Sequence, residues 1–116
     1  MIPKELVKGS LKSIVLKLLA EQNRMYGYEI TQKVEELSEG KIKLTFGALY
    51  PILHKLEQDG IVVTQSEVVN NRNRIYYKLT EKGNTSAKER IRELEEFVQT
   101  IKILLNPQTG FESCIG

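Results

Sequence analysis

One cysteine and one histidine in 116 residues close off most site chemistry before any pattern is read. Cys114 cannot form an internal disulfide, and its place near the C-terminus, in a stretch that reads as tail, argues against a redox role. His54 stands alone, which removes Ser/His/Asp and Cys/His catalytic arrangements and leaves no Cys/His cluster for a metal. The chain is therefore expected to be no enzyme and to need no cofactor. Apolar runs are all too short to span a bilayer, and the N-terminal stretch has no signal-peptide h-region. The expected location is the cytoplasm, with no membrane partner. Internal repeats and low-complexity segments are absent as well. Charge of one sign is also scarce: a net +2 does not mark a nucleic-acid binder, so the distribution of charge has to carry that argument.

What is present fits one ordinary globular domain, with 41% hydrophobic and 28% charged residues. The most informative stretch runs from Leu44 to Gly60. Thr45 reads as a helix N-cap and Gly60 as the stop. Leu49, Leu53 and Leu56 repeat at helical spacing, with Phe46 and Ile52 widening the same face. The opposite face carries Tyr50, His54, Lys55 and Gln58, donors without a cluster of acids. Pro51 lies inside this helix and leaves the Gly47 carbonyl without its usual partner, so a kink or a loosened first turn is expected. Gly47 would permit close backbone approach to something outside.

Before that stretch, residues 3 to 8 are short and mixed. Ser10 reads as the cap of a helix ending near Gln22, with Leu11, Ile14, Val15, Leu18 and Leu19 as its apolar stripe. A connection at 23–25 leads to a second helix opened by Tyr26, whose buried face is Tyr26, Ile30, Val34 and Leu37. Residues 41–44 alternate and suggest a single small strand. After Gly60 the period changes to two. Residues 61–69 read as a strand, 70–73 as an Asn-rich turn and 74–79 as the returning strand. Ile75, Tyr77 and Leu79 point one way; Arg74, Tyr76 and Lys78 point the other, with Arg72 at the tip. No acid occurs from Val68 to Thr80, so basic and aromatic character is concentrated here.

Thr80 can cap a last helix, with Glu81 in its first turn. Ala87, Ile91, Leu94, Val98, Ile101 and Leu105 follow at heptad spacing, broadened by Phe97 and Leu104. A helix of this length spans about 35 Å at 1.5 Å per residue, too long for so small a body to cover. Its seam needs a partner, and a symmetric dimer is the simplest supplier. Asn106 and Pro107 end the helix, and 106–116 read as a flexible tail.

Helix, helix, helix, hairpin, long helix is an α+β, mostly α arrangement: a winged helix-turn-helix over residues 1–80 with a dimerisation helix over 81–105. The residues that fill this layout resemble the PadR family of bacterial transcriptional regulators, in particular its short members with one C-terminal helix. The resemblance rests on Gly9-Ser10-Leu11, Tyr26-Gly27-Tyr28-Glu29-Ile30, the run from Gly47 to Glu57, Gly60-Ile61, and the run from Arg74 to Gly83. It also accounts for Pro51, which the family places inside its recognition helix. The Asn-rich wing tip departs from relatives, which often carry more arginine there.

On that resemblance the chain is expected to be a homodimeric, sequence-specific regulator, a repressor of transcription bound to double-stranded operator DNA. Thr45, Gly47, Tyr50, His54 and Lys55 would form the DNA-facing side of the recognition helix, and Arg72, Arg74, Tyr76 and Lys78 the wing. The plain alternatives are a surface helix beside a solvated hairpin, or a winged helix used for protein–protein assembly. The resemblance further implies a small hydrophobic or phenolic effector near the dimer interface, although no residue here identifies its pocket.

Overall fold

The computed structural model describes residues 2–107. Cys114 and the end of the tail lie outside the described residues. The chain opens with α1 (Lys4–Lys8) and α2 (Leu11–Glu21), followed by β1 (Met25–Tyr26) and α3 (Gly27–Leu37). Then come α4 (Phe46–Gln58), β2 (Val62–Val69), β3 (Arg72–Leu79) and α5 (Glu81–Leu105). This is the expected mostly helical winged-helix arrangement, with a small sheet of order β1-β3-β2.

The first joint differs from expectation. Residues 3 to 8 contain a short helix, and Ser10 does not cap α2 with its side chain. Its hydroxyl instead donates to the Val7 carbonyl at 3.1 Å and closes α1. In α2, Leu11, Val15, Leu16, Leu18 and Leu19 are buried, whereas Ile14 only leans on the core.

The third strand was expected at 41–44 and stands instead at Met25–Tyr26. There it pairs antiparallel with β3, Met25 opposite Tyr77 and Tyr26 opposite Tyr76. Tyr26 thus belongs to the sheet and precedes α3. The alternation at 41–44 has another cause: Ile42 and Leu44 dip towards the core while Lys41 and Lys43 face water, with no strand alongside. The α3 start is held by Glu29, whose carboxylate accepts from the Tyr26 N–H at 3.1 Å. Its buried residues are Gly27, Ile30, Thr31 and Val34; Leu37 is 64% exposed, because the helix turns its last residue off the core.

The hairpin is tighter than the sequence suggests. Asn70 and Asn71 both adopt positive φ, 51° and 61°, and form a two-residue turn of the kind that matches strand twist. Arg72 and Asn73 are therefore strand residues opposite Val69 and Val68, and Arg72 begins β3 instead of forming the tip. Tyr77, Leu79 and Val62 face a core shared with Leu16, Ile30, Leu49, Leu53 and Leu56.

At Thr80 the sheet passes into α5. The Thr80 hydroxyl accepts from the Gly83 N–H at 3.0 Å and donates to the Gly60 carbonyl at 2.7 Å. Early in α5, Ala87 is buried in the core of this chain and Ile91 is packed against it. Ala87 is therefore core, not part of an exposed seam. Beyond Leu94 the helix leaves the body, and the molecule reaches 64 Å along its longest axis.

Candidate nucleic-acid interface

The helix α4 is delimited by backbone chemistry at both ends. Thr45 accepts from the Ala48 N–H through its side chain at 3.2 Å. At the far end Gly60 has φ +73°, its N–H donates to the Glu57 carbonyl at 3.0 Å, and the Ile61 N–H donates to Leu56 at 2.9 Å. That pair of bonds closes the helix and turns the buried Ile61 back under it. Leu49, Leu53 and Leu56 are fully buried, so the rotation of the helix about its axis is set. Phe46 does not join them and is largely exposed. Pro51 does not interrupt the helix, which runs unbroken from Phe46 to Gln58.

The rotation leaves Thr45, Gly47, His54 and Lys55 on the surface. A methyl at Gly47 would meet only the Thr45 hydroxyl oxygen, at 3.9 Å, so no packing inside the chain requires glycine there. Tyr50 is half-buried. Its hydroxyl rests against Gly27, where an added methyl would lie 3.0 Å from the phenol ring carbon. Phe46, Tyr50 and His54 line one edge of the helix, with ring centroids 5.6 and 6.0 Å apart along the row. Lys55 pairs with Asp59 at 3.4 Å across an exposed helix turn. Such a pair contributes at most about 1 kcal/mol, so the ammonium can exchange it for a phosphate.

The wing is more organised than a charged hairpin. Arg74 lies over the Tyr26 ring at 4.3 Å, and Tyr26 meets Tyr76 edge-on at 5.4 Å. Tyr76 in turn carries a second guanidinium, Arg24, at 3.9 Å. Each such contact is worth roughly 0.5–1 kcal/mol at exposed sites. A hydrogen bond with Tyr76 is the largest cause that pushes the Arg74 guanidinium above its ordinary value. Arg24 also pairs with Glu67 and donates to Gln65 at 3.3 Å. Glu67, directly opposite Arg74 in the register, is thus drawn towards Arg24. Arg72 and Lys78 form no ion pair among the described residues.

Arg24 was missed in the sequence. No periodicity links it to the wing, and only the pairing of β1 with β3 brings it there. Tyr76, read as an outward residue, is half-buried between two other side chains. His54 has no metal-binding companions, and no group of three or more such residues occurs among the described residues. No helix among them is long and apolar enough to cross a membrane.

Comparison with known proteins agrees with this fold. The sequence model of the Transcriptional regulator PadR-like family matches residues 15–89. The transcriptional regulator Rv3488 of Mycobacterium tuberculosis is 38% identical over 82 residues, covering 71% of this chain and 74% of that protein. Among solved structures, a transcriptional regulator from Clostridium thermocellum superposes with a TM-score of 0.76 at 25% identity, covering 85% of this chain and 96% of that one. A PadR-like transcription factor from Bacteroides fragilis gives 0.67 at 29% identity, over 86% and 94%.

Proposed function

The chain belongs to the PadR-like family of transcriptional regulators, DNA-binding proteins and not enzymes, and from that membership we propose that it works as a homodimeric repressor. The observation that carries this reading is the pairing of a capped helix, with Thr45, Gly47, His54 and Lys55 exposed, and a hairpin on which Arg74 is stacked over Tyr26 and Arg24, from the connection before β1, is stacked over Tyr76. The helix enters the major groove by its N-terminal half, and the wing lies along the backbone, where Arg72 and Arg74 displace counterions. Tyr50, anchored against Gly27, sets the edge of the reading helix; Lys78 and Tyr76 flank the arginines. Residues 1–80 with the first turns of α5, through Ile91, act as the reading head, and the rest of α5 to Leu105 as the arm. Repression is steric, by occupation of promoter DNA in the cytoplasm. A small hydrophobic effector releases the protein by favouring a head spacing that fits the operator less well.

Dimerisation is supported by the free part of α5. Phe97 is 60% exposed, Leu104 68% and Leu105 80%, with Val98 and Ile103 also open. Leu94 and Ile101 are half-covered and continue the same seam. Two copies joined there would present two reading helices about 34–36 Å apart to a palindromic site. The test is sedimentation, alone and with an operator-length duplex. A dimer at micromolar concentration and two chains per duplex are expected. Phe97→Glu with Leu104→Glu should give a folded monomer whose DNA affinity falls roughly 100-fold, as the second contact is lost. A wild-type monomer at that concentration would sink the proposal.

A further inference from the structure

On the N-terminal side of the reading helix lies a cavity of about 660 Å³, between α1, the start of α2, the 41–45 segment and the first turns of α4. Its size is that of a ligand pocket. Val7, Leu11, Ile42, Leu44, Pro51 and Ile52 make it apolar, and among the described residues no aromatic ring and no carboxylate lines it. Four lysines stand on it: Lys4, Lys8, Lys12 and Lys43. None of the four forms an ion pair among the described residues, whereas Lys17, Lys33 and Lys55 elsewhere do. Unpaired ammoniums over an aliphatic pocket are complementary to one kind of molecule. It has a flexible hydrocarbon chain, which needs no ring to stack on, and an anionic head.

We propose that this cavity binds a single-chain aliphatic carboxylate, with the chain on the Val7, Leu11 and Ile52 surface and the head among the lysines. The same cavity is lined by Thr45, Gly47 and Ala48, the cap and first turn of α4. The occupant therefore sits against the end of the helix that reads DNA and neutralises cations that phosphates would otherwise meet. Ligand and operator oppose one another, and by linkage DNA weakens the ligand by the same factor. The site stands on the cavity alone; its opposition to DNA rests on the regulator reading above.

Equilibrium dialysis of the full chain against dodecanoate, without DNA, tests the site. Saturable binding of one molecule per chain is expected. Decanoate, two methylenes shorter, should bind about fifteenfold more weakly at ~0.8 kcal/mol per methylene. Exchange of Lys4, Lys8 and Lys12 for Gln should weaken dodecanoate roughly tenfold, while dodecanol should be indifferent to that change. Val7→Phe, in a helix with no buried residue, should crowd the chain-binding surface and weaken dodecanoate binding without unfolding the chain. Non-saturable uptake, or uptake unchanged by these variants, overturns the site. So does a lysine variant that loses DNA affinity while dodecanoate never binds, because the lysines would then serve the DNA backbone. In the second arm, dodecanoate at ten times its dissociation constant should weaken operator binding at least about fivefold; an unchanged DNA affinity overturns the coupling. A chain that takes dodecanoate but binds no DNA specifically supports the site and contradicts the regulator reading instead.

Discussion

An added methyl at Gly83 would land on the carbonyl oxygen of Ile61, the oxygen that already accepts from the Thr80 N–H at 3.0 Å. Backbone stands on both sides of that contact, so neither can turn aside as a side chain would. Gly83→Ala is expected to cost about 1–3 kcal/mol, read as a lower denaturation midpoint with an unchanged slope. Gly27 contrasts with it, because the atom in its way is the end of the Tyr50 side chain. Gly27→Ala should displace Tyr50 and alter DNA binding more than stability. Tyr77 carries the pH prediction. Burial pushes its phenol above the ordinary value of about 10. Its neutral form therefore adds stability that is complete below pH ~10 and is lost as pH rises through the higher folded value. Tyr77→Phe should flatten the alkaline limb of a stability–pH curve and leave the neutral region nearly unchanged. At this scale the sequence was only partly legible. The inward pointing of Tyr77 followed from strand alternation, whereas the stacking of Arg24 on Tyr76 did not, because residues 52 positions apart meet only through the sheet.

Whole elements were legible where local rules are strict. The Thr45 cap, the Gly60 stop and the buried leucines between them place α4 to within a residue, and Thr80 does the same for α5. Misreadings came where a neighbour decides. β1 has two residues and no pattern of its own, so it exists only because β3 offers an edge. The 41–44 alternation had the period of a strand but no strand to join. Pro51 lost one helical hydrogen bond without ending the helix. The Asn70-Asn71 turn gives a prediction at this scale. Both residues hold positive φ, so Asn71→Gly should be neutral or slightly stabilising, while Asn71→Val should cost about 1–2 kcal/mol. A hairpin NMR spectrum would show whether the loss is local to the wing. Removal of Arg24 frees Glu67 beside the wing. Arg24→Ala should therefore weaken DNA binding, and Glu67→Gln added to it should restore part of the loss in the same titration.

For the whole molecule, the division of α5 matters most. Its first turns belong to the core of this chain, through Ala87 and Ile91, and its last turns carry apolar side chains that this chain does not cover. The heptad spacing was visible in sequence; the point along the helix where own core gives way to open seam was not, since both halves have the same period. The dimer is a proposal about charge as much as shape, because two heads on one duplex would displace many counterions at once. Fluorescence anisotropy with DNA from the gene's own upstream region, repeated over a salt series, measures this directly. Neutralising ~6–10 phosphates per dimer predicts a log–log slope of roughly −5 to −9, with clear preference over scrambled DNA. A shallow slope without sequence preference, unchanged by Arg72→Ala with Arg74→Ala, would contradict the account and point to a winged helix that binds protein.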